Sequence, residues 1–455
     1  MAERVLTRPI AINWGVGEIG IATYVGITMS YMLYYLTEVQ HVTPAVAGLV
    51  LLIPRLWDAA IDPLVGLVSD RTQTRWGRRR PFLLGGSLSY GLFFGTIFLL
   101  PPGMAMHTKL VAFVAAYMLT STAFTFYDVA YSSMAAEMAR DYRERTLLVG
   151  YKMMAARVGI LIAVVGAPAI FNSRATLADG FALMGIVAGL LMLCSGLWAF
   201  VGTRAAPQID RPIAHFNVRA ELRAMKENRP FLVLWSVFLF QNLAVGANAT
   251  IQIYLVIFVM KIDKGLIGVM IAAGAASAML VTPLWVRLAT RFGKSRIYSL
   301  AIILGIALQL PVYWLPPGMP FLLFLLLISV GIADAATQLC PNAMVPDTVE
   351  YDELRSGERR EGAIFGMWLL ARKLGMAGGA FFASLALATF GFAQGAENQT
   401  AVALHGIRLA YVIIPSAIWL LALILLRFYR LDEDSFNDLR SAINAREITS
   451  PMPPG

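Results

Sequence analysis

The sequence predicts an all-α polytopic membrane protein with twelve transmembrane helices in two six-helix halves. Its composition, the recurrence of long apolar segments and the placement of its basic residues all indicate this class. Of the 455 residues, 58% are apolar and 14% are charged, whereas a soluble domain has about 25% charged residues. A soluble protein of this composition would have too few polar residues to cover its surface. The composition therefore predicts a lipid bilayer as the surrounding medium.

Apolar segments long enough to cross a bilayer, about 20 residues each, recur along the chain. They predict spans near 12–36, 46–69, 81–100, 109–136, 147–171, 178–202, 231–259, 265–289, 296–316, 319–345, 362–390 and 403–428. We expect an N-terminal six-helix half over 1–204, a cytoplasmic linker over 205–229, a C-terminal six-helix half over 230–429 and a cytoplasmic tail over 430–455.

The basic residues of the loops predict the orientation. Loops on one side, together with both chain ends, carry 27 Lys and Arg residues, and loops on the other side carry 5. Because cytoplasmic loops are enriched in Lys and Arg, both termini are expected in the cytoplasm. The net charge of +9 then follows from topology, and we expect no nucleic-acid partner. The expectation is a monomeric, multi-pass protein of a bacterial inner membrane.

Loops at matching positions in the two halves resemble each other. Residues 74–80 read Thr-Arg-Trp-Gly-Arg-Arg-Arg, and residues 290–296 read Thr-Arg-Phe-Gly-Lys-Ser-Arg. This indicates a six-helix unit duplicated in parallel, which resembles the plan of the major facilitator fold, with the substrate held between the halves. The cysteines and histidines show no ligand spacing, so we expect no enzyme, no metal site and no cofactor apart from a coupling ion.

The second span carries three charged residues on one face. Arg55, Asp58 and Asp62 are spaced by three and four residues, about one helical turn between neighbours. Each charge at a helix centre costs about 2.5–3.5 kcal/mol on insertion scales, which indicates a functional requirement. A bracing ion pair between Arg55 and Asp58 is the alternative, but it would leave Asp62 unexplained. We predict that the two aspartates couple transport to a cation, either by holding a proton between them or by surrounding a hard cation with oxygen.

The fourth span carries Thr125 and Asp128 on one face. A carboxylate beside aromatic residues is typical of a sugar site, because it accepts hydroxyl hydrogen bonds while a ring packs on the sugar. A brace from Asp128 to Lys152 or Arg157 is the alternative, and the sequence leaves both open. Glu18 in the first span has no obvious local partner and is either a substrate ligand or an interfacial charge.

In the eleventh span, Arg372 and Lys373 interrupt an apolar run. Lys373 lies two to three turns inside the span, so we expect it to face the carboxylates of the second and fourth helices rather than snorkel to the surface. Arg372, like Arg55, is assigned to the surrounding charge network. Asp334 in the tenth span lies roughly where Asp128 lies in the first half, and its role is left open.

The loop after the second span carries Asp70, Arg71, Gly77 and Arg78. Gly77 permits a tight turn, and Asp70 is suited to pair with cations of neighbouring helices. Anchoring by positive charge would account for the cations but not for Asp70. We therefore predict a cytoplasmic gate at these four residues.

Together these residues resemble the glycoside–pentoside–hexuronide:cation symporters of the major facilitator superfamily. The resemblance covers both halves, through residues 55–78, Pro346–Asp352, 357–362 and Lys373. It implies cation-coupled symport of a sugar, glycoside or sugar acid by alternating access. By position it implies a cation site of Asp58, Asp62 and Thr125, and a substrate site of Asp128, Lys373, Lys152 and, as a substitute, Glu18.

Three positions depart from that family. Ala22 and Ser132 stand where melibiose carriers have a sugar-binding aspartate and tryptophan, which argues against a galactoside. Ile61 stands where sodium-coupled relatives supply an amide, which favours H+ over Na+ as the coupling ion. The alternatives are a carrier of lysolipids or other amphiphiles of the same superfamily and, from another class, a sensor or scaffold that does not transport.

Overall fold

The computed structural model of the protein describes residues 6–72, 74, 76–101, 103–139, 142–207, 227–262, 264–356, 360–429 and 431. In these ranges the chain is helical and contains no strand, so the predicted all-α class is confirmed. Within the same ranges a helix stands at each of the twelve predicted spans, and we label these helices α1 to α12.

The first six helices occupy the first 202 residues. They are α1 (Arg8–Ser30, continued by Met32–Tyr34 and a π-helical segment Tyr35–Val39), α2 (Pro44–Arg71), α3 (Arg80–Ile97), α4 (Met106–Met138), α5 (Tyr142–Leu161, continued by Ile162–Gly166 and Ala167–Phe171) and α6 (Leu177–Gly202).

The second six helices follow the polar linker. They are α7 (Arg229–Tyr254, continued by a π-helical segment Leu255–Val259), α8 (Lys264–Phe292), α9 (Lys294–Gln309, continued by Leu310–Trp314), α10 (Pro320–Ser356), α11 (Glu361–Thr389) and α12 (Ala401–Arg408, Leu409–Ile413 and Ile414–Leu426). Among the described residues, ten of the twelve helices have the length and apolarity to cross a membrane. The other two, α3 and α11, contain 18 and 29 residues.

The end of α10 differs most from the predicted boundaries. Hydropathy ends this span at residue 345, but the helix continues to Ser356. The polar extension is held by side chains: Asp347 pairs with Lys294 at 2.7 Å, and Asn228 donates to the carbonyl of Thr348 at 2.9 Å. The apolar pattern therefore marks the part of the helix that crosses the membrane and misses the part that continues beyond it.

The chain divides into two compact units. The first comprises Met1–Ala214, Ala249–Ala272 and Ala380–Ile407, and the second comprises His215–Asn248, Ala273–Gly379 and Arg408–Gly455. In the described part of the chain, the first unit thus contains α1–α6 together with the end of α7, the start of α8, the end of α11 and the start of α12.

In the first unit, α1 packs on α5 and α6, and α3 packs on α4 and α6. Gly91 of α3 and Gly189 of α6 meet so closely that a Cβ on either would collide with the backbone of the other. Between α1 and α4, the rings of Trp14 and Tyr131 stack with centroids 4.7 Å apart. Each also donates a hydrogen bond to the backbone carbonyl of the other, at 3.3 and 3.0 Å. These contacts fix α1 against α4 beside the charged residues described below.

In the second unit, apolar side chains of α7 to α12 form a buried core. The rings of Phe238 and Trp368 stack in it with centroids 3.8 Å apart. Uncharged polar groups cross the same core. Gln241 of α7 donates to the carbonyl of Thr337 on α10 at 2.8 Å and accepts a hydrogen bond from the hydroxyl of Tyr298 on α9.

Candidate coupling and substrate site

Hydroxyl side chains of α4 join this helix to α2. The Ser121 hydroxyl donates to the carbonyl of Pro54 at 3.3 Å, and one turn further along, the Thr125 hydroxyl donates to the carboxylate of Asp58. Thr125 is buried at 1% exposure, so water does not compete for this bond. The structure therefore brings together two of the three residues predicted to bind the cation.

Asp62, the third residue, lies one turn after Asp58 on the same uninterrupted helix. Both carboxylates are half-buried. Ile61 between them is buried at 7% exposure and offers no oxygen. A cation held here would find side-chain oxygens on the two aspartates and on Thr125. Their role in coupling stays a prediction.

Arg55 lies one turn before Asp58 and connects α2 to α1. Its Nη2 atom donates to the carbonyl of Thr28 at 3.1 Å, whereas its buried Nε and Nη1 atoms have no hydrogen-bond partner among the described residues. The guanidinium thus braces two helices through a backbone carbonyl. Its positive charge on the same face offsets part of the repulsion between the two carboxylates.

A second charged cluster joins α1, α4 and α5. The Nζ atom of Lys152 lies 3.5 Å from the carboxylate of Glu18 and donates to the hydroxyl of Ser132 at 3.2 Å. That hydroxyl lies 3.5 Å from the carboxylate of Asp128. The ammonium also lies 5.4 Å from the centre of the Tyr131 ring, within the range of a cation–π interaction. Three predicted substrate residues therefore lie in one cluster, in which Glu18 contacts Lys152 directly and Ser132 links Lys152 to Asp128.

The predicted brace between Asp128 and a cation is present only in modified form. In the described part of the chain Asp128 reaches Lys152 through Ser132 and not by direct contact. Arg157, the other partner considered, is exposed. Glu18 is 9% exposed and contacts Lys152 on α5, so its side chain is packed among the helices, and its role as a substrate ligand or an interfacial charge stays a prediction.

A close approach of α1 and α5 places this ion pair. A Cβ at Gly159 of α5 would collide with the backbone of Ile19 on α1, and the Thr23 hydroxyl lies 3.1 Å from the carbonyl of Gly159. Glu18 is adjacent to Ile19 on α1, and Lys152 lies about two turns before Gly159 on α5, so the close approach of the two backbones lets their long side chains meet.

The second unit contains the charged residues that were singled out in the tenth and eleventh spans. On α11, Arg372 is exposed and Lys373 is half-buried. On α10, the carboxylate of Asp334 lies 3.4 Å from the hydroxyl of Thr337. The predicted approach of Lys373 to the carboxylates of α2 and α4 stays a prediction.

The loop predicted to form a gate makes a tight turn. Gly77 has φ +97°, a left-handed conformation that favours glycine, so the turn predicted there is confirmed. Gly293, at the matching position of the second half, has φ +89°. Arg71 is exposed and Arg78 is half-buried, while the side chain of Asp70 lies outside the described part of the structure. The gating role of these residues stays a prediction.

Each of these loops is anchored by a cation that was not among the predicted site residues. The Nε atom of Arg79 lies 3.0 Å from the carboxylate of Glu137 on α4, and its Nη1 atom donates to Ser69 on α2 at 2.7 Å. In the second unit, Lys294 contacts Asp347 on α10 at 2.7 Å. Each cation follows the turn glycine within two residues, so the loop repeat was the signal that could have identified both pairs.

Tyr429 lies near the ion pair of Lys294 with Asp347, beyond the last membrane-spanning segment. It is 8% exposed, and burial, together with the negative charge of Asp347, raises the pKa of its phenol above the ordinary value. The phenol therefore stays protonated at neutral pH.

Comparison with known proteins identifies relatives along almost the whole chain. The family model described as MFS/sugar transport protein matches residues 14–433. An uncharacterised symporter of Synechocystis is 27% identical, and the match covers 96% of both chains. The glucuronide carrier protein homolog of Escherichia coli is 26% identical, and the match covers 96% of this chain and 95% of that one.

Solved structures show the same architecture. A bacterial homolog of the human lysosomal transporter Spinster, in an inward-facing and unoccupied conformation, matches with a TM-score of 0.69 over 96% of both chains. The two sequences are 13% identical, so this likeness confirms the predicted fold and carries no further conclusion.

Proposed function

The chain belongs to the MFS/sugar transport protein family, and on that premise we propose that it imports a sugar, glycoside or sugar acid together with a cation by alternating access. It is a multi-pass membrane transporter and not an enzyme. The relatives named as a symporter and as a glucuronide carrier support coupled transport and a carbohydrate solute.

The observation that carries the proposal is that two charged clusters contact the same helix, α4. Thr125, in contact with Asp58, and Asp128, linked to Lys152, are one turn apart on α4. A change in charge at one cluster acts on the other across a few ångströms of low-dielectric protein. Such proximity provides the coupling free energy that symport requires, because each ligand changes the affinity of the site for the other.

Uptake in proteoliposomes tests the proposal. The purified protein is reconstituted and offered radiolabelled glucuronides, pentosides and glucosides under imposed ion gradients. We expect at least one of these solutes to accumulate above its external concentration, and the accumulation to collapse when the gradient is dissipated. Gradient-independent movement of every solute, or movement only of lysolipid, would contradict the proposal.

For the coupling ion we propose the proton. Ile61 supplies no oxygen between the two aspartates, so two carboxylates and one hydroxyl are the side-chain ligands of the candidate cation site. Sodium is a hard cation that prefers several oxygen ligands at close range. A proton needs only one carboxylate of a pair whose repulsion disfavours double ionisation.

Uptake under a pH gradient alone and under a sodium gradient alone identifies the coupling ion. Vesicles with an inward pH gradient and no sodium should accumulate the solute, and vesicles with a sodium gradient at equal pH should not. The matched variant is Ile61→Asn, which adds an amide oxygen at the buried position; a gain of sodium-driven uptake there would support the ligand argument. Wild-type uptake that requires sodium and ignores the pH gradient would contradict it.

For the orientation we propose that both termini face the cytoplasm of a bacterial cell whose inner membrane holds the protein as a monomer. The 27-to-5 asymmetry of loop cations supports this orientation. Reporter fusions after Ala205 and after Gly455 should both give the cytoplasmic signal, and a periplasmic signal from either would contradict the topology.

A further inference from the structure

A cavity of about 480 Å³ lies within the first unit, at the end formed by the loops with few basic residues. Its walls come from the ends of α1 and α7, the start of α6 and the loop between α11 and α12. This volume lies within the range of about 300–1,000 Å³ that is typical of small-molecule sites. Neither charged cluster described above contributes to it.

Aromatic packing closes the space beneath the cavity. The rings of Tyr34 on α1 and Tyr254 on α7 meet edge to face at 5.8 Å, and the hydroxyl of Tyr254 lies 2.8 Å from that of Thr37. Phe392, after α11, packs on Tyr254 at 5.2 Å. Helices from both halves of the sequence are therefore in contact here, and Tyr34 belongs both to this contact and to the lining of the cavity.

The loop that forms one wall has a defined conformation. Gly395 has φ +71°, and a side chain there would collide with the ring of His41. The amide of Gln399 accepts from the backbone nitrogen of Ala393 at 2.9 Å and donates to its carbonyl at 2.7 Å. The wall is thus preformed, which reduces the entropy lost when a ligand binds.

The lining combines carboxylates, an amide, a cation and aromatic rings. The residues that carry the argument are Tyr34, Glu38, Phe258, Lys261, Glu397 and Asn398. Carboxylates and amides bond the hydroxyl groups of a sugar, and aromatic faces pack against its C–H groups. Charges of both signs at the rim favour a neutral polyhydroxylated ligand over a simple ion, which would leave the aromatic floor unused.

We propose that this cavity is a second carbohydrate site, a vestibule on the side from which the solute enters. The ligand class rests on the proposed function, whereas the existence of the site rests on the cavity itself. Because its walls come from both sequence halves, the site is complete only while these helices are packed together. A bound sugar therefore favours the closed arrangement of this end.

Protection of a cysteine in the cavity tests the proposal. Cys194 is exposed and is first replaced by serine. Ala396→Cys then places a thiol on the lining without removing any of the six side chains named above, and Ser173→Cys, in the exposed loop between α5 and α6, is the matched control. Maleimide labelling is measured with methyl glucoside, methyl glucuronide and melibiose as probes, with Asp128 intact and in the Asp128→Ala background.

A probe at about nine times its dissociation constant leaves about a tenth of the sites free, so labelling of Ala396→Cys should slow about tenfold in both backgrounds. Ser173→Cys should label at an unchanged rate. The double change Glu38→Gln with Glu397→Gln should raise the probe concentration needed for protection about tenfold or more.

Two outcomes would overturn the proposal: no probe protects Ala396→Cys, or protection disappears with Asp128→Ala, which would assign it to the site on α4. Uptake by the wild-type protein is measured separately with the same sugars. Uptake without protection would overturn the vestibule alone, and protection without uptake would overturn the transport proposal alone.

Discussion

Different kinds of side chain connect the helices in the interiors of the two units. In the first unit, charged side chains make several of the contacts between helices: Asp58 with Thr125, Arg55 with a backbone carbonyl, and Glu18 with Lys152. In the second unit, amides and hydroxyls make several such contacts, although Asp334 and Lys373 also lie there. Gln241 bonds α7 to α9 and α10, and Asn248 bonds Gln309 at 3.2 and 3.3 Å.

This difference distinguishes side chains that can bind a ligand or an ion from side chains that only hold helices together. An amide can donate and accept in the membrane interior without changing its charge, so it holds helices together at every stage of a transport cycle. A carboxylate can take up a proton or a cation and thereby change the forces on its neighbours. We therefore expect the coupling chemistry in the first unit and mainly scaffold hydrogen bonds in the second.

The largest effect is expected at the paired aspartates. Asp62→Asn keeps the size of the side chain and removes the charge, so gradient-driven accumulation should be lost while downhill exchange persists. Asp334→Asn, the acid of α10 in the second unit, is the matched control and should retain accumulation. Loss of accumulation in both variants would contradict the expected difference between the units, because coupling would then depend on acids of both.

A smaller effect is expected for solute affinity. Asp128→Ala removes a charge-assisted hydrogen bond worth about 1.5–3 kcal/mol, or roughly a ten- to hundredfold loss of affinity. Calorimetry on folded protein measures it, with Asn342→Ala on α10 as the control in the second unit. Equal losses in the two variants would mean that the solute is held as much by amides as by the charged cluster.

The ion pair of α1 and α5 should affect stability next. Lys152→Met removes one charged partner of Glu18, a residue that is 9% exposed, at a cost of about 2 kcal/mol in the free energy of unfolding. Combining it with Glu18→Gln should recover part of that loss, as a double-mutant cycle would show. If the two losses simply add, the pair contributes no interaction energy.

The smallest effect is expected in the scaffold of the second unit. Tyr298→Phe removes the hydroxyl that donates to Gln241 and should lower stability by about 1 kcal/mol, with accumulation unchanged. Thr125→Val removes a hydroxyl of the first unit and should reduce accumulation as well. Thermal unfolding and uptake are measured for both variants. The expected result is that only Thr125→Val reduces accumulation, because only Thr125 belongs to the candidate cation site.

Much of this arrangement was predictable because it is local in sequence. Each apolar span reports its own helix, and the spacing of Asp58 and Asp62 places them on one face whatever surrounds them. Contacts between distant segments were not predictable in this way. In the sequence, Ser132 was notable only because melibiose carriers have a tryptophan at this position. The packing of α4 on α5 shows that its hydroxyl joins Lys152 to Asp128. The end of α10 was missed because its last turns are held by ion pairs and backbone bonds that leave no apolar pattern.

The π-helical segments at the ends of α1 and α7 extend the resemblance between the two sequence halves from the loops to the helix ends. They occupy Tyr35–Val39 and Leu255–Val259, and in each the residue two positions later, His41 or Lys261, has a positive φ of 55° or 53°. A π segment corresponds to one residue inserted into an α-helix. The same local departure from α-helical geometry, followed by the same backbone turn, therefore stands at matching places in the two sequence halves. The aromatic contact of Tyr34 with Tyr254 joins the residues that immediately precede the two π segments.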